Sequence, residues 1–250
     1  VEMTAERVLL EGTDIAYRYS EPQDRIPVVL VHGMGGDSHT WDRFANDLVQ
    51  RGRGVITLDL RGHGRSGHTG SYLFDEFADD LRHLCDHLEL DRVDLVGHSL
   101  GGYATSVVAQ TRPELVRRLV IEECPLPRRP SDPVTPLTSR FPSVPELWHA
   151  TTSLIRHPRA VIAYDRSMTS SALTQFRQAN PQWWDRLGDI TAETLILVGG
   201  PGGMVDPIKL EAVVAAIPNC RTVKFKSGHS IHRDKYADFA DIVLPFLSAP

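Results

Sequence analysis

Eight short apolar runs punctuate the chain, with room for a helix between most of them. RVLLEG, IAYRYS, VVLVHG, GVITLDL, VDLVGHS, RLVIEEC, TLILVGG and TVKFKSG are rich in Val, Ile and Leu, the composition of strands. Several are apolar at consecutive positions, as a parallel strand buried on both faces requires. Trp41 to Gln50, Leu73 to Leu88 and Ala104 to Gln110 carry apolar residues at helical spacing instead. The alternation predicts an α/β fold, a mostly parallel, eight-stranded, doubly wound sheet covered by helices on both faces. A short turn between the first two runs predicts an antiparallel hairpin at the start.

The rhythm fails between Pro125 and Gly188. PLPRRPSDPVTP opens a proline-rich connection, and ELWHATTSLIRHP, AVIAYDRSM and SALTQFRQANPQWWDRL read as three or so short helices. The expected organisation is a core of residues 1–124 and 189–250 with residues 125–188 inserted as a helical cap. An insertion leaving the carboxyl ends of parallel strands lies over the crevice where such sheets bind ligands.

Composition narrows the partners. A formal net charge of -5 over 250 residues provides no basic surface for a nucleic acid backbone, so the expected partner is a small-molecule or peptide substrate. Cys85, Cys124 and Cys220 are widely spaced and odd in number, which suggests neither a disulfide framework nor a zinc ligand set. The opening VEMTAERVLLEGTDIAY lacks a basic region followed by an apolar one, and no apolar stretch reaches about 18 residues. The expectation is a cytoplasmic protein without membrane association, a monomer or homodimer.

Candidate chemistry centres on Gly97-His98-Ser99-Leu100-Gly101. It fits G-x-S-x-G between a strand and a helix, where glycines two positions either side of a serine relieve a turn too tight for side chains. The plain alternative is a serine capping a helix. A nucleophilic hydroxyl needs a base, and KFKSGHSIHRD supplies His229 in a glycine-preceded loop; His232 is the alternative base, although it is expected in the first turn of the final helix. An oxyanion hole needs backbone amides aimed at the developing charge; those of Met34, in VVLVHGMGG, and Leu100 are the candidates. His32, Gly33 and His98 lie beside these groups and are assigned with Trp148 and Trp183 to the substrate pocket, although the strand-end position of His32 also suits structural hydrogen bonding. Trp148, Tyr164, Phe176, Trp183 and Trp184 either line an apolar pocket or fill the insertion's own core.

In this order the motifs resemble the α/β-hydrolase fold superfamily, in its serine hydrolase form with a helical cap. The resemblance rests on His32-Gly33, on Asp59, Arg61-Gly62 and Gly64 through Ser66 in DLRGHGRS, on the elbow at Ser99, and on Gly228-His229. It spans nearly the whole chain outside the insertion and implies a Ser-His-acid triad. The acid departs from the family's commoner pattern, an aspartate about three residues past a glycine ending the seventh strand. Here that loop is LVGGPGGMVDP, and the position holds glycine. Asp206 comes later, before Pro207, where it can cap a helix. Other members carry the acid directly after the sixth strand, and here RLVIEECP supplies Glu122 and Glu123. Buried carboxylates need partners, and His229 can be one. Glu123 is favoured because a strand end fixes it, whereas ordering a four-glycine loop before Asp206 costs entropy; Asp206 and Glu122 stay as alternatives.

Two further patterns carry less. Gly62 to Gly67 satisfies G-x-G-x-x-G after a strand, but the acidic residues about twenty positions on, Asp79 and Asp80, sit in a helical pattern, which argues against dinucleotide binding. His83 and His87, four apart without further ligands nearby, read as a polar helix face. The chemistry requires no metal and no organic cofactor. The resemblance implies a serine hydrolase of an ester, lactone or thioester of a small or natural-product-like substrate. A non-hydrolytic member of a natural-product pathway (peptide epimerase, lyase or cofactor-free oxygenase) and a ligand receptor without turnover are the alternatives.

Overall fold

The computed structural model describes residues 2–21, 26–134, 151, 155 and 158–248. Eight strands, β1 (Thr4–Leu10), β2 (Thr13–Tyr19), β3 (Val28–Val31), β4 (Val55–Leu58), β5 (Val93–His98), β6 (Val116–Glu122), β7 (Glu193–Val198) and β8 (Cys220–Lys224), fall on the eight apolar runs. They form one sheet in the order β1-β2-β4-β3-β5-β6-β7-β8. The first two strands are a hairpin, β2 pairs antiparallel with β4, and every later pairing is parallel.

Alternate residues of the central strands feed two cores. Val29, Val31, Leu58, Leu95, Leu119, Ile121 and Ile196 pack on one face, against α2 (Phe74–His87) and α3 (Leu100–Thr111). Val28, Leu30, Val55, Val96, Val120, Leu195 and Leu197 pack on the other, against α1 (Asp42–Gln50) and the C-terminal helix Tyr236–Ser248. Phe239 of that helix is fully buried against Phe44 of α1, ring centroids 5.0 Å apart, and burial of such a side chain stabilises by about 1.5–3 kcal/mol.

Between β6 and β7 the described residues form α4 (Pro158–Ala163), α5 (Ser167–Arg177) and α6 (Pro181–Asp185). The expected single segment SALTQFRQANPQWWDRL is two helices, because Asn180 caps a new start by accepting from Trp183 N, with Pro181 in the first turn. Most of ELWHATTSLIRHP, including Trp148, lies outside the described residues. The segment is tied to the body through Asp165 N donating to Gly62 O (2.9 Å), Tyr72 Oη to Asp165 (2.6 Å) and Gln175 Nε2 to Tyr72 O (2.8 Å).

Register decides where chemistry can gather. Val31 lies beside Gly97, His98 beside Glu122, and Glu122 beside Leu197. The residues just past these rows, His32-Gly33, Ser99, Glu123 and Gly199, therefore emerge along one edge, at the carboxyl ends of parallel strands.

Candidate active site

Ser99 sits between β5 and α3 with φ 53° and ψ -116°, a strained conformation for a residue with a side chain. Its amide donates to Glu122 O (2.8 Å). A Cβ at Gly97 would press on Gly101 O and Thr105, and one at Gly101 on the carbonyls of Val31 and His32. Both flanking positions thus demand glycine because backbone meets backbone. Ser99 makes no side-chain cap to its helix, so the helix-cap reading fails, and Ser99 and His229 line the same cavity.

Glu123 follows β6 with φ 48° and is fully buried. Gly199 N donates to its Oε1 (2.5 Å) and Met204 N to its Oε2 (2.6 Å). Oε2 then lies 3.5 Å from His229 Nδ1, long for a hydrogen bond, as such contacts often are before a substrate tightens them. A Cβ on Gly203 would collide with this carboxylate, and one on Gly199 with the backbone of Gly228. The glycine loop, expected to be costly to order, is a backbone cradle for the glutamate and a seat for the His229 loop. Asp206 is exposed and accepts from Ile208 N (2.8 Å) and Lys209 N (3.3 Å), capping α7 (Pro207–Ala216). It is Glu123 that meets His229.

Glu122 has its own partner. His232, in α8 (Ile231–Asp234), donates from its amide (3.0 Å) and meets the carboxylate through Nδ1 (2.8 Å). Burial pushes the Glu122 carboxyl up, but its electrostatic and hydrogen-bond contacts, those with His232 foremost, outweigh it and hold it below its usual value. His98 donates from Nε2 to His229 O (2.7 Å). Burial pushes its pKa down to about 3, so the ring is a neutral strut behind the His229 loop.

Met34 is exposed at the cavity, and Leu100 opens α3 there, where amides have no partner within the helix. His32 is fully buried: Nε2 accepts from Leu60 N (3.0 Å) and Nδ1 donates to Gly33 O (2.7 Å). A planar trans peptide sets the Met34 N–H opposite the Gly33 carbonyl, so the imidazole that holds one aims the other.

The cavity has a volume of about 700 Å³, within the range of small-molecule sites. Four of the expected lining residues are elsewhere. His32 and Gly33 are packed beneath the loop, where a Cβ on Gly33 would meet His98 and Ser99, and His98 is turned toward the His229 carbonyl. Trp183 is in the core, its Nε1 donating to Ser106 (2.9 Å). The wall is built by Leu73, Phe74, Tyr103, Ala172, Gln175 and Phe176. Of the other inserted aromatics, Tyr164 packs on His63 and Trp184 donates to Pro127 O. Tyr103 was missed by sequence reasoning, although one turn past Ser99 is where α3 would face the site; its hydroxyl donates to Asp75 (2.7 Å) and accepts from Asn180 (3.0 Å).

The α/β-hydrolase fold profile matches residues 26–175. The chain belongs to the α/β-hydrolase fold family. It is 29% identical over 257 residues to the sn-1-specific diacylglycerol lipase ABHD11 of Danio rerio, across 90% of this chain and 79% of that protein. Identity is also 29% to a 2-hydroxy-6-oxo-2,4-heptadienoate hydrolase of Pseudomonas putida, across 89% of each. Among solved structures, the esterase EaEST of Exiguobacterium antarcticum superposes with a TM-score of 0.81 at 20% identity, covering 98% of this chain and all of that one, a likeness of fold. The relatives are named hydrolases, and the chain is an enzyme of this class. Among the described residues no helix is long and apolar enough to cross a membrane.

Proposed function

We propose that the protein is a serine hydrolase of a small carboxylic ester with an apolar acyl group. The observation that carries this reading is the meeting, at one cavity, of a strained serine and a histidine backed by a buried, amide-cradled glutamate. Ser99 Oγ attacks the acyl carbonyl carbon while its proton passes to His229 Nε2. Glu123 keeps the proton on Nδ1 and stabilises the imidazolium. The carbonyl electron pair becomes an oxyanion between the Met34 and Leu100 amides. Collapse expels the alkoxide, which takes the proton from His229, and water repeats the sequence on the acyl-enzyme. The inserted helices act as a cap, Leu73, Phe74, Ala172 and Phe176 receiving the acyl chain. The lipase name of the Danio rerio relative supports the same bond type.

The test is labelling with a fluorophosphonate, paired with turnover of short-chain and medium-chain acyl esters. The wild-type protein is expected to take one label and Ser99→Ala none, with turnover lost. Labelling that survives in Ser99→Ala would remove Ser99 from the mechanism.

A further inference from the structure

The Gly62 to Gly67 turn has no part in the mechanism above, yet it reaches the oxyanion loop. His63 is fully buried. Its Nδ1 donates to Arg61 O (3.0 Å), leaving Nε2 as an acceptor, and Gly35 N donates to it (3.0 Å). The ring lies between His32, centroid 4.9 Å away, and Tyr164 of the inserted segment, 5.1 Å away. The turn is itself anchored: Asp59 accepts from Ser38 N (2.8 Å) and Arg65 N (2.9 Å), and Ser66 Oγ donates to Asp59 O. Two peptide planes flank the Met34 Cα. His32 holds the one before it through Gly33 O, and His63 holds the one after it through Gly35 N.

We infer that His63 is a positioning residue for the oxyanion hole, acting through Gly35 on the direction of the Met34 amide. This rests on the hydrolase reading. A peptide plane clamped on one side only can rotate about the Met34 dihedrals, and Gly35, at φ 79°, offers little resistance. With the second clamp in place, the amide is aimed before the substrate arrives, and preorganisation of this kind is worth most where charge develops.

The paired variants His63→Asn and His63→Gln separate this role from a structural one. The asparagine amide can still donate to Arg61 O from the Nδ1 position but is too short to accept from Gly35. The glutamine amide reaches the Nε2 position and can accept. His63→Asn is expected to lower kcat for a short acyl ester by about ten- to hundred-fold with KM within about two-fold, while His63→Gln stays within about three-fold of wild type. Inhibition by a trifluoromethyl ketone gives a second readout. Its carbonyl adds Ser99 Oγ and its oxygen becomes the oxyanion, the serine proton moving to His229. Its Ki should rise in His63→Asn in parallel with the fall in kcat, while binding of the product carboxylic acid is unchanged. Equal losses in both variants, or a His63→Asn enzyme with unchanged kcat and Ki, would overturn the inference while leaving the hydrolase reading intact. If one variant does not fold, the kcat and Ki of the other decide it: a loss in His63→Gln, or none in His63→Asn, overturns it. A wild-type protein with no label, turnover or ketone adduct would defeat the hydrolase reading, and this one with it.

Discussion

Glu123 is held by two backbone amides before it meets His229, so the carboxylate keeps its place whatever the imidazole does. Glu123→Gln keeps the shape but presents an amide that cannot stabilise an imidazolium. A fall in kcat of about 10³–10⁴ is expected, with little change in KM. Asp206→Asn removes only the charge of a helix cap, and asparagine caps as well as aspartate; ester kinetics should leave it near wild type. A fall of similar size in both variants would mean that the acid is wrongly assigned. Gly203→Ala addresses the cradle directly, since its added Cβ points into the Glu123 carboxylate. It should reduce kcat while the folded state, followed by circular dichroism, persists. That Glu123 would meet His229 was readable from its place at a strand end. The cradle was not, because its amides come from residues 76 and 81 positions later and only the folded sheet brings them near.

The short helices of the insertion divide their aromatics between cavity and core. Phe176, on α5, faces the cavity and packs edge-on against Phe74 at 5.0 Å. Phe176→Ala should therefore raise KM for longer acyl esters more than for acetyl esters. Trp183→Phe should leave chain-length preference alone and cost about 1–3 kcal/mol of stability through the bond lost to Ser106, measured by urea denaturation. A shift in chain-length preference in Trp183→Phe would place that side chain against substrate after all. The sheet and the elbow were legible because strand runs and the glycine pair around Ser99 are local signals. The facing of α6 was not, because a helix of five residues, Pro181–Asp185, has too few turns to declare a buried side, and contact with α3 chooses it.

Two buried imidazoles, His63 and His98, tie the fold to pH. Burial pushes His63 and His98 down to about 3, against about 6.5 in an unfolded chain. Between those values the unfolded state binds more protons, so stability rises with pH. It is complete above about pH 6.5 and is lost as pH falls toward 3, by up to about 1.4 kcal/mol per unit for each ring. Urea midpoints measured from pH 7 down to pH 4 should decline, and the decline should be shallower in His63→Gln, which has no proton to take up. An equal slope in that variant would show that His63 is not held neutral.

The Gly199 peptide nitrogen donates to Glu123, while its carbonyl accepts from Ser227 and Gly228, next to His229. For anyone grafting this arrangement into another enzyme, Glu123, Gly199, Gly203 and Gly228 form one cassette. A glutamate transplanted alone into a scaffold with ordinary side chains at the two loop positions would be driven out of reach of its histidine. Moved with its glycines, it brings its own socket.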